Sequence, residues 1–196
     1  MKTKDSKTKT LVTYALLTAV LLLMGFTPLG YLKVGVFEIT FMTIPVIIGA
    51  IIVGPACGAF LGGVFGLTSF AQCFGMSAFG ATILSINPFF AFITCFISRL
   101  LMGFLCGVIF KAIKSKASYL IASLSGAILN TVFFMTALIS LYWNSSFIQD
   151  MLSKVSGNIF SFIIAFVGLN GLVEAVVCAI CGTAISVALE KAIKKR

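Results

Sequence analysis

The chain has 196 residues, 60% of them hydrophobic and 10% charged, and a net charge of +9. Soluble domains carry roughly a quarter charged residues, so this composition excludes one, and the length leaves room for a single membrane-embedded domain. Apart from Lys33 and Lys154, the lysines and the lone arginine outside the spans lie in three clusters, at the N-terminus, at Lys111–Lys116 and at the C-terminus, a pattern that sets orientation in a bilayer and meets anionic lipid. No basic surface interleaves with stacking aromatics, so nucleic acid is not an expected partner.

Residues 1–10 form a basic tail ahead of an apolar run, Leu11–Phe26. A signal peptide has this look, but no A-x-A-like cleavage site follows, and a retained first helix is expected. Ala15 and Ala19 within it form a small-xxx-small pair that lets another helix approach closely. The loop Thr27–Phe41, TPLGYLKVGVFEITF, is rich in β-formers around Gly35. It reads as a short strand pair over the bundle, kept partly in water by Lys33 and Glu38.

Ile44–Phe70 is uncharged, carries Gly54, Gly58, Gly62 and Gly66 at every fourth position, and is interrupted at Gly54-Pro55. One helix here would give five spans and put two of the three basic clusters outside. A hairpin gives six spans with all three clusters on the cytoplasmic side and the longer loops outside, so the hairpin is expected. Each arm has about 14 residues, or roughly 21 Å against a hydrocarbon core of about 30 Å, so tilt, extension or local thinning must make up the difference. The glycine ladder is a close-packing surface, either inside the bundle or against a partner.

Ser69–Pro88 is too glycine-rich and polar to span, and is expected to fold back against the bundle as a loop. Phe89–Phe110 is a span with Arg99 at its middle, and Tyr119–Tyr142 is a span with Asn130 near its centre. Trp143–Phe160 is an outer loop containing Asn158, and Ser161–Leu189 is the last span, with Asn170 and Glu174. The expected fold is an all-α, multi-pass cell-membrane protein with six transmembrane helices near 11–27, 41–54, 57–72, 88–110, 118–142 and 161–189, and with both termini cytoplasmic.

Arg99 and Glu174 are the ionisable groups inside these spans. Arginine at a helix centre costs about 2.5–3.5 kcal/mol on insertion scales, so each needs a partner or a wet cavity. By helical rise Arg99 lies about 16 Å below Pro88, and Asn170 and Glu174 lie about 14 and 20 Å below Ser161, so these three can meet Asn130 in one layer. Two readings stand. Arg99 and Glu174 pair internally with the asparagines as interhelical glue, or Arg99 fixes a ligand carboxylate in an outward-opening polar pocket.

The chain contains no histidine, no close acidic pair in a span and no G-x-x-x-x-G-K-[ST] loop. Zinc chemistry, acid–base dyads and ATP hydrolysis have no residues to use, so neither an enzyme nor a cofactor is expected, and energised transport would need another subunit. Cys178 and Cys181 match C-x-x-C, but mid-helix in an apolar run they read as small buried side chains.

A six-span chain of this length, with three outward loops over an outward pocket and an Ala-x-x-x-Ala first helix, resembles the substrate-binding S components of energy-coupling factor (ECF) vitamin transporters. PVIIGAIIVGPACGAFLGGVFGLTSF at Pro45–Phe70 is similar to their second-and-third-helix region and looks most like the pantothenate type. The resemblance implies a subunit that binds a vitamin from outside and docks on a membrane-embedded coupling (T) subunit carrying two cytoplasmic ATPases. It implies docking on the small residues Ala15 and Ala19, with the glycines Gly58, Gly62 and Gly66 as a surface that slides on the partner. It implies a lid at Thr27–Phe41, including Tyr31, Lys33, Phe37 and Glu38, and substrate contacts from Asn87, Arg99, Asn130, Asn158 and Asn170, with Glu174 beside them. Arg99 suits a carboxylate-bearing vitamin, pantothenate first, and folate and biotin share that group; riboflavin is a further alternative. The absence of histidine argues against nickel and cobalt types. Two rival readings stand beside it, a stand-alone carrier or channel and a structural membrane protein that anchors partners. A carrier is expected to show matched halves with broken helices, and none is evident, and a scaffold would not need Arg99 and the asparagines at one depth.

Overall fold

The computed structural model describes residues 2–34, 37–115, 117–154 and 159–194, with the backbone alone at 2–7, 29, 32–34, 37–39, 154, 159–162, 165–166, 169–170 and 193–194. Helix α1 (Lys2–Phe26) is continuous. It stops where Thr27 precedes Pro28, because the proline ring pushes its neighbour out of the helical region; Thr27 is extended, with φ −122° and ψ 159°. Leu11, Leu16, Leu23 and Phe26 face outward from α1 while Leu17 and Leu21 face in.

Strands β1 (Tyr31–Val34) and β2 (Phe37–Thr40) pair antiparallel, with Tyr31 opposite Thr40. Helices α2 (Thr43–Ile52) and α3 (Pro55–Gln72) follow. Gly54 between them has φ +124°, a conformation that side-chain-bearing residues avoid. Pro55 opens α3, where its missing N–H has no helical partner to lose. Gly49 lies against Leu61 and Cys57, and Gly58 lies against Ala50, so α2 and α3 fold back on each other. Ile44–Phe70 is therefore a hairpin turning at Gly54-Pro55.

The segment Ser69–Pro88, expected as a loop, holds a helix. α3 continues to Gln72, and α4 (Ala78–Ile86) forms because Ser77 caps it, its Oγ accepting from the Gly80 N–H at 3.1 Å. Helix α5 (Pro88–Phe92), a π-helical turn (Ile93–Ile97) and α6 (Ser98–Ala112) make one column. After α7 (Ser118–Tyr142) and the short α8 (Ser146–Lys154), the last column comprises α9 (Ile159–Val177), a second π turn (Cys178–Gly182) and α10 (Thr183–Lys194). Among the described residues, Thr8–Phe26, Pro88–Ala112, Ser118–Tyr142 and Gly171–Ala192 are long and apolar enough to cross a membrane, and Thr43–Ile52 is a shorter apolar helix.

Contacts along the helices fix their directions. The Tyr14 ring lies tilted against that of Phe60 and Gly25 meets Thr68, so α1 and α3 run parallel. Gly58 meets Gly103, Gly62 meets Arg99 and Gly66 meets Phe96, so α3 and α6 run antiparallel. Asn130 meets Glu174 and Ser123 meets Gly182, so α7 and the last column are antiparallel too. Lys111 lies against Gly54. The N-terminal end of α1, the hairpin turn, Lys111 and the C-terminal end of α10 thus gather at one end of the bundle, and the β hairpin, α4 and α8 at the other.

Candidate functional site

A cavity of about 160 Å³ opens at the β-hairpin end, bounded by that hairpin, the end of α3, α4, the π turn before α6, α7 and α9. Arg99 reaches it from α6 and is buried. Its placement follows from the glycine ladder. A methyl group on Gly62 would overlap the Arg99 carbonyl, and one on Gly58 would overlap that of Gly103. Only hydrogens at these positions let α6 lie this close to α3.

The Arg99 Nη1 donates to the Thr94 carbonyl at 2.9 Å, inside the π turn. The guanidinium carbon sits 4.6 Å from the centroid of Phe134 and 5.3 Å from that of Phe65, within range for cation–π attraction. Arg99 Nε is buried without a hydrogen-bond partner, and among the described residues no carboxylate comes within 4.0 Å of the guanidinium. The internal Arg99–Glu174 ion pair is therefore not formed. Glu174, also buried in the cavity wall, accepts from Asn130 Nδ2 at 3.0 Å instead, and Asn130 Oδ1 is left without a partner. Arginine, amide and carboxylate thus line one space with unused donor and acceptor capacity, an arrangement suited to a small polar ligand that is partly anionic.

Asn87 does different work from that expected of a ligand contact. Its Oδ1 accepts from the Phe89 and Phe90 N–H groups at 3.0 and 3.2 Å, capping α5, and its carbonyl accepts from Tyr142 Oη at 3.2 Å. Asn158 and the Asn170 side chain lie outside the described residues, as do the side chains of Lys33, Phe37 and Glu38. Tyr31, the remaining residue of the expected lid, lines the cavity together with its cross-strand partner Thr40. Gly58 and Gly62 are buried against the chain's own α6 and Gly66 against the π turn before it, so the expected sliding surface on a partner is taken up internally. Ala15 and Ala19 are exposed on α1.

Two cavity residues escape a reading based on charge and asparagines. Gln72 ends α3 and donates through Nε2 to the Gly25 carbonyl, tying the cavity wall to α1. Phe134 lies one turn beyond Asn130 on the same face of α7, a spacing visible in the sequence. Among the described residues no three His, Cys, Asp or Glu side chains cluster to hold a metal ion.

The pantothenic acid transporter PanT of Lactococcus lactis subsp. cremoris (strain MG1363) is 36% identical over 159 residues, an alignment covering 76% of this chain and 76% of the relative. Residues 9–186 match the family described as ECF transporter, substrate-specific component. The chain belongs to that family, and it is accordingly a multi-pass membrane transport protein and not an enzyme.

Proposed function

We propose that this chain binds pantothenate from outside the cell in the Arg99 cavity and passes it inward through a membrane-embedded coupling subunit driven by two ATPases. The observation that carries the reading is Arg99 itself. A buried guanidinium with an unpartnered Nε, and no carboxylate within 4.0 Å among the described residues, is a preformed site for a ligand carboxylate. Pantothenate brings one carboxylate, together with hydroxyl and amide groups that match the Glu174 acceptor and the free Asn130 oxygen. The 36% identity to a pantothenic acid transporter supports the same ligand.

In this reading the bundle has six spans, with α2 and α3 as two shorter crossings. The basic end is cytoplasmic by the positive-inside tendency, so the cavity faces out. The β hairpin, whose Tyr31 and Thr40 border the cavity, serves as its lid. Ala15 and Ala19 present the strip on which the coupling subunit docks.

The test uses the acid and its uncharged alcohol analogue, pantothenol, in titrations of purified protein. The native protein is expected to prefer the acid. Arg99→Ala should weaken acid binding by about tenfold or more, the scale of one charge-assisted hydrogen bond, and should leave the alcohol nearly unaffected. Equal loss for both ligands, or none for either, would overturn the role given to Arg99. Failure of the native protein to bind either would overturn pantothenate as the ligand.

A further inference from the structure

We propose that Cys73 and Cys95 form an oxidisable dithiol in the cavity wall, closed to a disulfide by low-molecular-weight disulfides that enter the cavity from outside. The consequence for ligand binding, though not the cross-link, rests on the function proposed above. The two sulfurs are 3.9 Å apart, on different helical columns, and both residues line the cavity. The other buried thiols lie elsewhere: Cys106 contacts the Ala122 carbonyl at 3.3 Å, Cys178 contacts Thr43 at 3.2 Å, and Cys57 packs against Gly49 between α2 and α3.

Closing the pair to a bond of about 2.05 Å requires the sulfurs to approach by about 1.9 Å. Both ends can yield. Cys73 sits just past α3, with Gly75 beyond it at φ +123° and nothing packed within 4 Å of the site a side chain there would take. Its thiol has a 3.4 Å contact to the Ser69 carbonyl to release, while its N–H donates to the Phe70 carbonyl at 3.0 Å and can stay as the anchor about which the side chain turns. Cys95 lies in a π turn, a segment whose hydrogen-bond ladder is already irregular.

The movement has a consequence because of Gly80. A side chain on Gly80 would strike the Cys73 sulfur, so α4 is seated directly on this residue. Drawing Cys73 toward Cys95 removes the seat of α4, whose Phe79 and Gly80 form part of the cavity.

The chemistry balances as thiol–disulfide exchange. One cysteine thiolate attacks a sulfur of the small disulfide RSSR, forming a mixed disulfide and expelling RS⁻. The second cysteine attacks the mixed disulfide, forming the Cys73–Cys95 bond and expelling the second RS⁻. The pair gives up two electrons and two protons, and RSSR becomes two RSH.

The experiment treats the full-length native protein in lipid nanodiscs with oxidised glutathione. Intact mass should fall by two hydrogen atoms, and peptide mapping should join the peptides holding Cys73 and Cys95. Pantothenate affinity should fall about tenfold as the preformed cavity is disturbed, and dithiothreitol should restore it. In the double variant Cys73→Ser, Cys95→Ser, measured against its own untreated form, oxidant should leave affinity unchanged, because neither the cross-link nor a mixed disulfide can form in the cavity wall. Mapping that shows no Cys73–Cys95 link, or a stable glutathione adduct in its place, overturns the proposal, as does a link that leaves affinity unaltered. If the reduced native protein does not bind pantothenate, the ligand assignment fails while the mapping still decides the dithiol.

Discussion

A guanidinium buried in a helical bundle needs a counterion or a surface that can stand in for one, and Arg99 has the second. Two aromatic faces and the Thr94 carbonyl hold it, which leaves Glu174 to Asn130. The Asn130–Glu174 bond is then the test at residue scale. Asn130→Leu should take the amide donor from the buried carboxylate and cost about 1–3 kcal/mol, read as a lower thermal midpoint in detergent. Adding Glu174→Gln should recover part of that loss, since the second change removes the charge that Asn130 had satisfied. An unchanged midpoint in Asn130→Leu would refute the bond's importance. Helical-rise arithmetic was enough to put Arg99, Asn130 and Glu174 at one depth, because three spans of known direction leave little freedom along the membrane normal. It could not say which pairs form, since rotation of each helix about its axis sets that. Asn87 shows the other limit. Asn followed by Pro is a helix-start signal as well as a polar residue near a pocket, and the cap uses the oxygen that a ligand would need.

At the scale of elements, the structure turns on the α3–α6 seam. The four-residue glycine period was visible in the sequence, but its partner was not, because a small-residue stripe does not name what packs on it. A hint was present in Gly103 and Gly107, a second pair at the same spacing, and these meet Gly58 and Pro55. Two adjacent glycines give a sharp test. Gly62→Ala places a methyl group into the Arg99 backbone, whereas Gly63→Ala meets only the Phe96 ring at an ordinary 3.5 Å. The first should lose about 1–3 kcal/mol through overpacking and should also weaken ligand binding, because α6 carries Arg99. The second should be neutral or slightly stabilising, since alanine favours the helix over glycine by about 1 kcal/mol. Thermal unfolding and ligand titration of the two variants side by side decide it; equal behaviour would mean that the seam is looser than its contacts indicate. The α4 helix was not legible in Ser69–Pro88 because Gly75 and Gly80 read as breakers. One of them ends the preceding turn, and the other is kept small by the Cys73 sulfur beneath it.

For the whole molecule, the basic segments and the hairpin turn gather opposite the cavity, and the proposed docking of a membrane-embedded partner on the lateral surface of α1 is tested at this scale. With the glycine ladder taken up inside the bundle, Ala15 and Ala19 remain open on the face of α1 that turns Leu11, Leu16 and Leu23 outward. In lipid there is no hydrophobic gain from joining two apolar helices, so close approach over small side chains supplies the contact energy. Large residues there should block a partner helix without touching the core, because Leu17 and Leu21 hold α1 to the bundle from its other face. The double variant Ala15→Trp, Ala19→Trp, co-expressed with the coupling and ATPase subunits of its host, should fail to copurify with them yet bind pantothenate with native affinity. Ile180→Trp, at a residue 64% exposed on the last column, controls for bulk in the bilayer and should retain the complex. An intact complex in the double variant would move the docking strip off α1. Loss of both complex and ligand binding would show instead that the substitutions reach the fold, because a purely lateral block cannot disturb a cavity built from α3, α4, α6, α7 and α9.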